Sequence, residues 1–229
     1  MDRTNTAYTG ISIQVSLSGY SFKVHTPEGV QVSPWLTAEH VFTTPEFQRR
    51  YENVEISLLT PKVALVPDAF LDAASARKAL SEVASLREGD FVETVPVPGL
   101  AATLVYSNSL DESLSKVMAQ TVLPTSGTPV RVLPELYYLL CQLDSMPDYN
   151  KIVASWHGGY LHLVIAQGKS LCLANVFEAP DFTTAEYFLF LSLKRLQLNP
   201  EVSTVCFRTP LDTDAEMSLY RYFKAVVQL

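Results

Sequence analysis

Apolar and polar side chains alternate along residues 11–17. Ile11, Ile13, Val15 and Leu17 fall on one face, Ser12, Gln14 and Ser16 on the other. A period of two marks a strand. Ser18-Gly19 supplies a tight turn, after which Tyr20, Phe22 and Val24 resume the alternation. Pro27-Glu28-Gly29 turns the chain again into Val30-Gln31-Val32. The pattern predicts a three-stranded meander. The same plan returns later: Lys151–Ser155 as a strand, His157-Gly158-Gly159 as a turn, Tyr160–Ala166 as the return. Gln167-Gly168-Lys169 then turns into Ser170–Val176. "SLSGYSFKV" (16–24) and "SWHGGYLHLV" (155–164) thus read as one turn written twice. The spacing agrees, with ten residues from Gly19 to Gly29 and nine from Gly159 to Gly168.

After the second meander the period changes. "TTAEYFLFLSLKRLQLN" reads as a helix opened by a capping box, Thr183 with Glu186, and stopped by Asn199-Pro200. "VSTVCF" (202–207) reads as a buried strand. "TDAEMSLYRYF" carries a second capping box, Thr213 with Glu216, and "AVVQL" closes as a strand. The predicted order is βββαβαβ. The first half is less regular. Val54–Leu59 and Lys62–Val66 read as strands, residues 68–86 as a helix, and Phe91–Val95 with Ala101–Tyr106 as a hairpin. Ser109 and Glu112 are placed to cap another helix. "LPTSGTP" (123–129) reads as a linker, and Leu136, Tyr137, Leu140 and Leu143 mark a helix leading into the second half. We expect an N-terminal lobe over residues 1–123 and a C-terminal lobe over 124–229.

With 229 residues, 48% of them hydrophobic, the chain has enough apolar material for a sizeable core. The net charge of −7 and the scattered Lys and Arg offer no basic stripe for a phosphate backbone, so nucleic acid is not expected as a partner. Cys141, Cys172 and Cys206 lie in apolar runs without a CxxC, which reads as three buried thiols in a reducing compartment. The polar start, "MDRTNTAYTG", lacks a signal pattern, and no apolar run is long enough to span a bilayer. We expect a soluble cytoplasmic protein without membrane insertion.

The doubled plan resembles the actin, sugar kinase and Hsp70 ATPase superfamily. More narrowly, the chain is similar to an uncharacterised family of Bacteroidetes bacteria, a domain of unknown function with a degenerate actin-like ATPase fold. The resemblance is carried by "ISIQVSLSGYSFKV", "VALVPDAFLD" (63–72), "LANVFEA" (173–179) and "EYFLFLSLKRLQLNP" (186–200). It implies an α/β (α+β) fold of two ribonuclease H-like lobes, each a mixed sheet opening with a three-stranded meander. It implies no established activity.

In working members of that superfamily each lobe's first hairpin holds phosphate, and an Asp-x-Gly turn organises Mg²⁺ through water. Here the glycines remain without the acids. Leu17 stands two before Gly19, Trp156 two before Gly158 and His157 two before Gly159. No Asp or Glu occurs between Ile11 and Thr26 or between Lys151 and Phe177. Mg-ATP hydrolysis is therefore not expected, nor is a two-metal nuclease. Ser16, Ser18, Gly19, Trp156, His157, Gly158 and Gly159 would line a remnant cleft between the lobes, though two hairpins must turn tightly whatever they bind. Trp156 reads as core more than as a stacking platform.

Other chemistry is sparse. His157 and His162, five apart on a hairpin, are not read as a same-face pair, and no metal or other cofactor is implied. GxSxG, Walker-type and HExxH motifs are absent. Asp68, Asp72 and Glu82 read as the solvated face and cap of one helix. Tyr220 and Tyr222 fall on different sides of a helix, so at least one should be exposed. The reading that follows is a non-catalytic pseudo-ATPase acting as an interaction or scaffold protein, with an unidentified protein partner and self-association left open. Two rivals stand beside it: a nucleotide-binding or phosphotransfer enzyme with relocated acids, and a small-ligand module using the cleft.

Overall fold

The computed structural model describes residues 10–229, apart from 17, 73, 74, 89, 108–111 and 129. Its strands are β1 (Gly10–Ser16), β2 (Gly19–Thr26), β3 (Gly29–Val32), β4 (Arg50–Tyr51), β5 (Asn53–Leu58), β6 (Val63–Pro67), β7 (Val92–Pro96), β8 (Ala102–Ser107), β9 (Leu123–Pro124), β10 (Val132–Pro134), β11 (Asn150–His157), β12 (Tyr160–Gln167), β13 (Ser170–Glu178), β14 (Thr204–Phe207) and β15 (Ala225–Gln228). The α-helices are α1 (Ala76–Ser81), α2 (Glu112–Thr121), α3 (Glu135–Gln142), α4 (Phe182–Arg195) and α5 (Thr213–Tyr220). The chain divides into two compact units, each made of two stretches. One joins residues 1–58 to 109–133, the other 59–108 to 134–229.

In the first unit the sheet order is β10-β5-β1-β2-β3, with β1 antiparallel to β2 and parallel to β5. The alternation of residues 11–15 works as expected: Ile11, Ile13 and Val15 are buried and join Phe22, Ile56, Phe47, Tyr51 and Met118 in one core. Phe47 sits 5.3 Å from the ring centroids of both Tyr20 and Phe22. Burying each such side chain contributes about 1.5–3 kcal/mol. No α-helix follows the first meander; two short 3₁₀ turns, Ala38–His40 and Pro45–Gln48, stand there instead.

The second unit holds the sheet β13-β12-β11-β14-β15, in which β11, β14 and β15 run parallel and β11–β12–β13 form the antiparallel meander. The order βββαβαβ is observed from β11 to β15. Helices α4 and α5 cover one face, packing Leu189, Leu193 and Leu219 on Ile152, Ala154, Leu161, Leu163 and Val205. Helix α3 meets the opposite face, where Ser155 bonds its first residue, Glu135. A smaller sheet, β6-β8-β7, packs Val105 against Ala76 and Leu80 of α1.

Three local expectations are corrected. The helix expected over 68–86 is confined to Ala76–Ser81, because Phe70 and Val83 are exposed and do not share its buried stripe. It starts on a reciprocal pair in which Ser75 N–H donates to Asp72 Oδ1 and Asp72 N–H to Ser75 Oγ. Asp68 belongs elsewhere, accepting from Thr103 Oγ1 at 2.8 Å. The caps of α4 and α5 are Asp181 and Asp212, whose carboxylates accept from the N–H of Thr184 and Ala215; Thr183 and Thr213 are the residues after them. The cap assigned to Ser109 lies outside the described residues. The linker expected over 123–129 begins as β9, paired with β4. Among the described residues no helix is long and apolar enough to cross a membrane.

Candidate functional site

The sequence-predicted site residues fall at two hairpin tips, one in each unit. At the first tip Ser16 pairs with Gly19 at the end of the β1–β2 register. Buried Ser16 and exposed Ser18 bring their hydroxyls to 2.9 Å. Leu17 lies outside the described residues. Gly19 has φ +146°, and a Cβ there would stand 2.0 Å from the carbonyl oxygen of Leu36. The next residue explains that approach. Tyr20 N–H donates to Leu36 O at 2.9 Å and Leu36 N–H returns to Tyr20 O at 2.7 Å. The tip is therefore backed by the chain's own residues 33–36.

A buried ring network holds that backing in place. Thr44 Oγ1 donates to His40 O at 2.8 Å, so its oxygen receives the Tyr20 hydroxyl at 2.7 Å. Burial raises the proton affinity of the Tyr20 phenol, partly offset by the bond to Thr44.

At the second tip His157 pairs with Tyr160 across Gly158-Gly159. Both glycines have positive φ, 62° and 84°, as a two-residue type I′ turn requires. Here the glycines answer the turn itself: a Cβ on Gly159 would only touch Pro180 Cα, at 3.9 Å. Trp156 is half-buried against the α4–α5 core. Its indole donates to Ala179 O at 2.9 Å, its backbone N–H to Thr209 Oγ1 at 2.9 Å, and its ring meets Phe182 edge-on at 5.2 Å. Burial lowers the His157 pKa to about 4.

The fit of a magnesium-bound triphosphate can be judged at each tip by itself. Phosphate needs N–H donors and room for its oxygens. At Gly19 the room is filled by an acceptor, the Leu36 carbonyl, which repels another oxygen. Trp156, where an acid would organise the cation, is an apolar ring with its one donor engaged. Neither tip fits the group. Among the described residues no three His, Cys, Asp or Glu side chains gather as metal ligands.

Sequence reasoning missed a buried polar cluster. Glu135, wholly buried, accepts from Ser155 Oγ at 2.6 Å and from Arg208 at 2.7 Å, and the Arg208 guanidinium lies 4.6 Å from the Tyr138 ring centroid. His162 faces Ser155 across the pairing. His157 and His162 do share a face, because an odd separation across a two-residue turn keeps side chains on the same side. That parity was the one available signal. Glu135 and Arg208 are 73 residues apart and leave no local trace. A cavity of about 260 Å³ lies elsewhere in the second unit, among Leu140, Leu143, Lys151, Ala166, Gly168 and Lys169. No predicted site residue lines it.

Comparison with solved structures places this architecture. A Bacteroides thetaiotaomicron protein with an actin-like ATPase fold and unknown function is similar at 16% identity and TM-score 0.69, over 100% of this chain and 93% of that one. A chain of the PilM–PilN type IV pilus biogenesis complex is similar at 12% identity and TM-score 0.56, over 96% of this chain and 88% of that one. The fold is thus a mixed α/β, actin-like ATPase fold. No curated protein matches the chain at a significant level. Residues 1–226 match a family described only as a protein of unknown function, DUF3822, and the chain belongs to that family.

Proposed function

We propose that the protein is a non-catalytic pseudo-ATPase that acts in the cytoplasm by binding another protein. The observation that carries this reading is the Leu36 carbonyl packed against Gly19. In the superfamily this chain resembles, that glycine leaves a backbone open to phosphate; here it admits the chain's own backbone. The second tip supports the same view through Trp156, tied to Ala179 and Phe182.

Two further points favour protein binding. The PilM–PilN structure is that of a complex, so a chain of similar fold takes part there in a protein assembly. The second unit also exposes Tyr187, Tyr220 and Tyr222, and Tyr222 stands edge-on to Phe190 at 5.0 Å. Tyrosine is enriched in interfaces because it offers a large rigid surface with a polar tip.

The test is thermal unfolding with millimolar ATP, with and without Mg²⁺. A ligand that binds only the native state raises the midpoint by mass action. We expect no shift and no phosphate release. A magnesium-dependent rise accompanied by released phosphate would overturn the proposal. Light scattering behind size exclusion tests self-association, and affinity capture identifies other partners.

A further inference from the structure

His162, the third residue of β12, is wholly buried, and among the described residues neither of its ring nitrogens has a hydrogen-bond partner. A neutral imidazole carries one donor and one acceptor. Buried polar atoms are nearly always paired, so an orphaned pair calls for a reason. The neighbours show why it arises. Ser155, opposite His162, gives its hydroxyl to Glu135 Oε1, and Arg208 takes Oε2. Docking α3 on this face satisfies Glu135, Ser155 and Arg208 and leaves His162 without a partner among the described residues.

The charges around it are few. From α3 comes Glu135; the helix's other buried residues, Leu136, Leu139 and Leu140, are apolar. Strand β11 presents Lys151 and His157 on the alternation shared with Ser155. Along β12 lies Tyr160, paired with Glu178 of β13, while His162 itself faces Val176. Arg208 follows β14. Helices α4 and α5 pack on the other face. Burial pulls the His162 pKa down to about 4, and the Glu135 carboxylate only partly opposes this.

We propose that α3 is a proton-released latch: protonation of His162 undocks residues 135–142 from the β11–β12 face. An imidazolium needs two acceptors, and the Glu135 carboxylate, whose charge acts on the ring, already accepts from Ser155 and Arg208. Water supplies the acceptors once the helix lifts. The latch has a strategic place in the chain. Helix α3 begins at Glu135, directly after the chain passes at Leu133–Pro134 from the first compact unit into the second.

The sign of the pH effect is fixed by linkage. The open form binds a proton at the ordinary histidine pKa of 6.5 and the docked form only at about 4. Docking is therefore at full strength above pH 6.5 and weakens as the pH falls towards 4. Opening rises about tenfold per pH unit across that window, roughly 300-fold in all.

Hydrogen exchange of the full chain between pH 7 and 4.5, corrected for intrinsic rates, tests this. Below pH 6.5 we expect α3 amides to lose protection about tenfold per unit relative to those of β1 and β2. H162F and H162Q should abolish that excess. Equal loss in both regions, or unchanged behaviour in either variant, overturns the latch. If neither variant folds, NMR titration of the wild-type ring decides. Midpoint and loss of the α3 signals must coincide, and titration with α3 still docked, which would mean an imidazolium paired in place with Glu135, overturns it.

Discussion

The two meanders begin alike and are secured by different means. In the second unit the strands are followed by α4, whose first turn is capped by the Asp181 carboxylate, and the hairpin's open face is covered by α3 through Glu135, Ser155 and Arg208. In the first unit the meander runs into residues 33–48, where the two 3₁₀ turns have no side-chain cap. That segment instead lies against the hairpin tip, backbone to backbone, at Gly19 and Tyr20. The turn glycine thus answers backbone torsion in both hairpins and a close backbone approach only in the first. Side chains tie α3 onto the second hairpin; the first adds a backbone pair, Tyr20 with Leu36, to the side-chain contacts of Tyr20 with Thr44 and Phe47. A glycine kept in a phosphate-loop position is therefore no sign that phosphate binds, since close approach by the protein's own carbonyl demands the same residue.

The largest effect should come from the side-chain anchor. Arg208→Met keeps much of the stem's volume but leaves the wholly buried Glu135 carboxylate without its cation. Breaking a buried pair from one side costs about 3–5 kcal/mol, and urea unfolding should show a loss of that size. A loss under about 0.5 kcal/mol, typical of a surface change, would mean that α3 does not anchor the second hairpin.

The next effect separates the tips. Gly19→Ala meets both a positive φ and the Leu36 carbonyl, so we expect a loss of about 3 kcal/mol or more. Gly159→Ala meets only the torsional cost of a positive φ, about 1 kcal/mol. Equal losses would remove the contrast between the two hairpins.

Much of this was legible in the chain. The alternation of Ile11, Ile13 and Val15 and the turns at Gly158-Gly159 and Gly168 set out both meanders, because a strand's period and a turn's torsions are local properties. The order of α4, β14, α5 and β15 followed for the same reason. Trp156 packs half-buried against the core. The two pairings that decide how the tips are held were not legible. Gly19 meets Leu36 and Glu135 meets Arg208 only after the chain has folded back. Residues 38–48 offered apolar Val41 and Phe47 without a helical period, and both are buried from short turns. Cys206 is buried as expected, whereas Cys141 and Cys172 are half-buried; Tyr220 and Tyr222 are both exposed.

The smallest effect tests where the helix after the second meander begins, a helix with no counterpart directly after the first. A capping box would make Thr183 the residue whose loss frays α4. The structure gives that place to Asp181: its φ and ψ are extended, and its Oδ1 accepts from Thr184 N–H at 2.7 Å. That bond also holds the Asp181 carboxyl below its ordinary pKa. Asp181→Ala leaves the first-turn N–H groups to water and removes a negative charge from the positive end of the helix, and should lower the urea midpoint. Thr183→Ala lies inside the first turn and should change stability by less than about 0.5 kcal/mol. Urea midpoints of the two variants rank them directly. If Thr183→Ala were the costlier, the helix would start two residues later. Its backbone link to the Trp156 hairpin, through Ala179 and Pro180, would then be longer and looser than the one described.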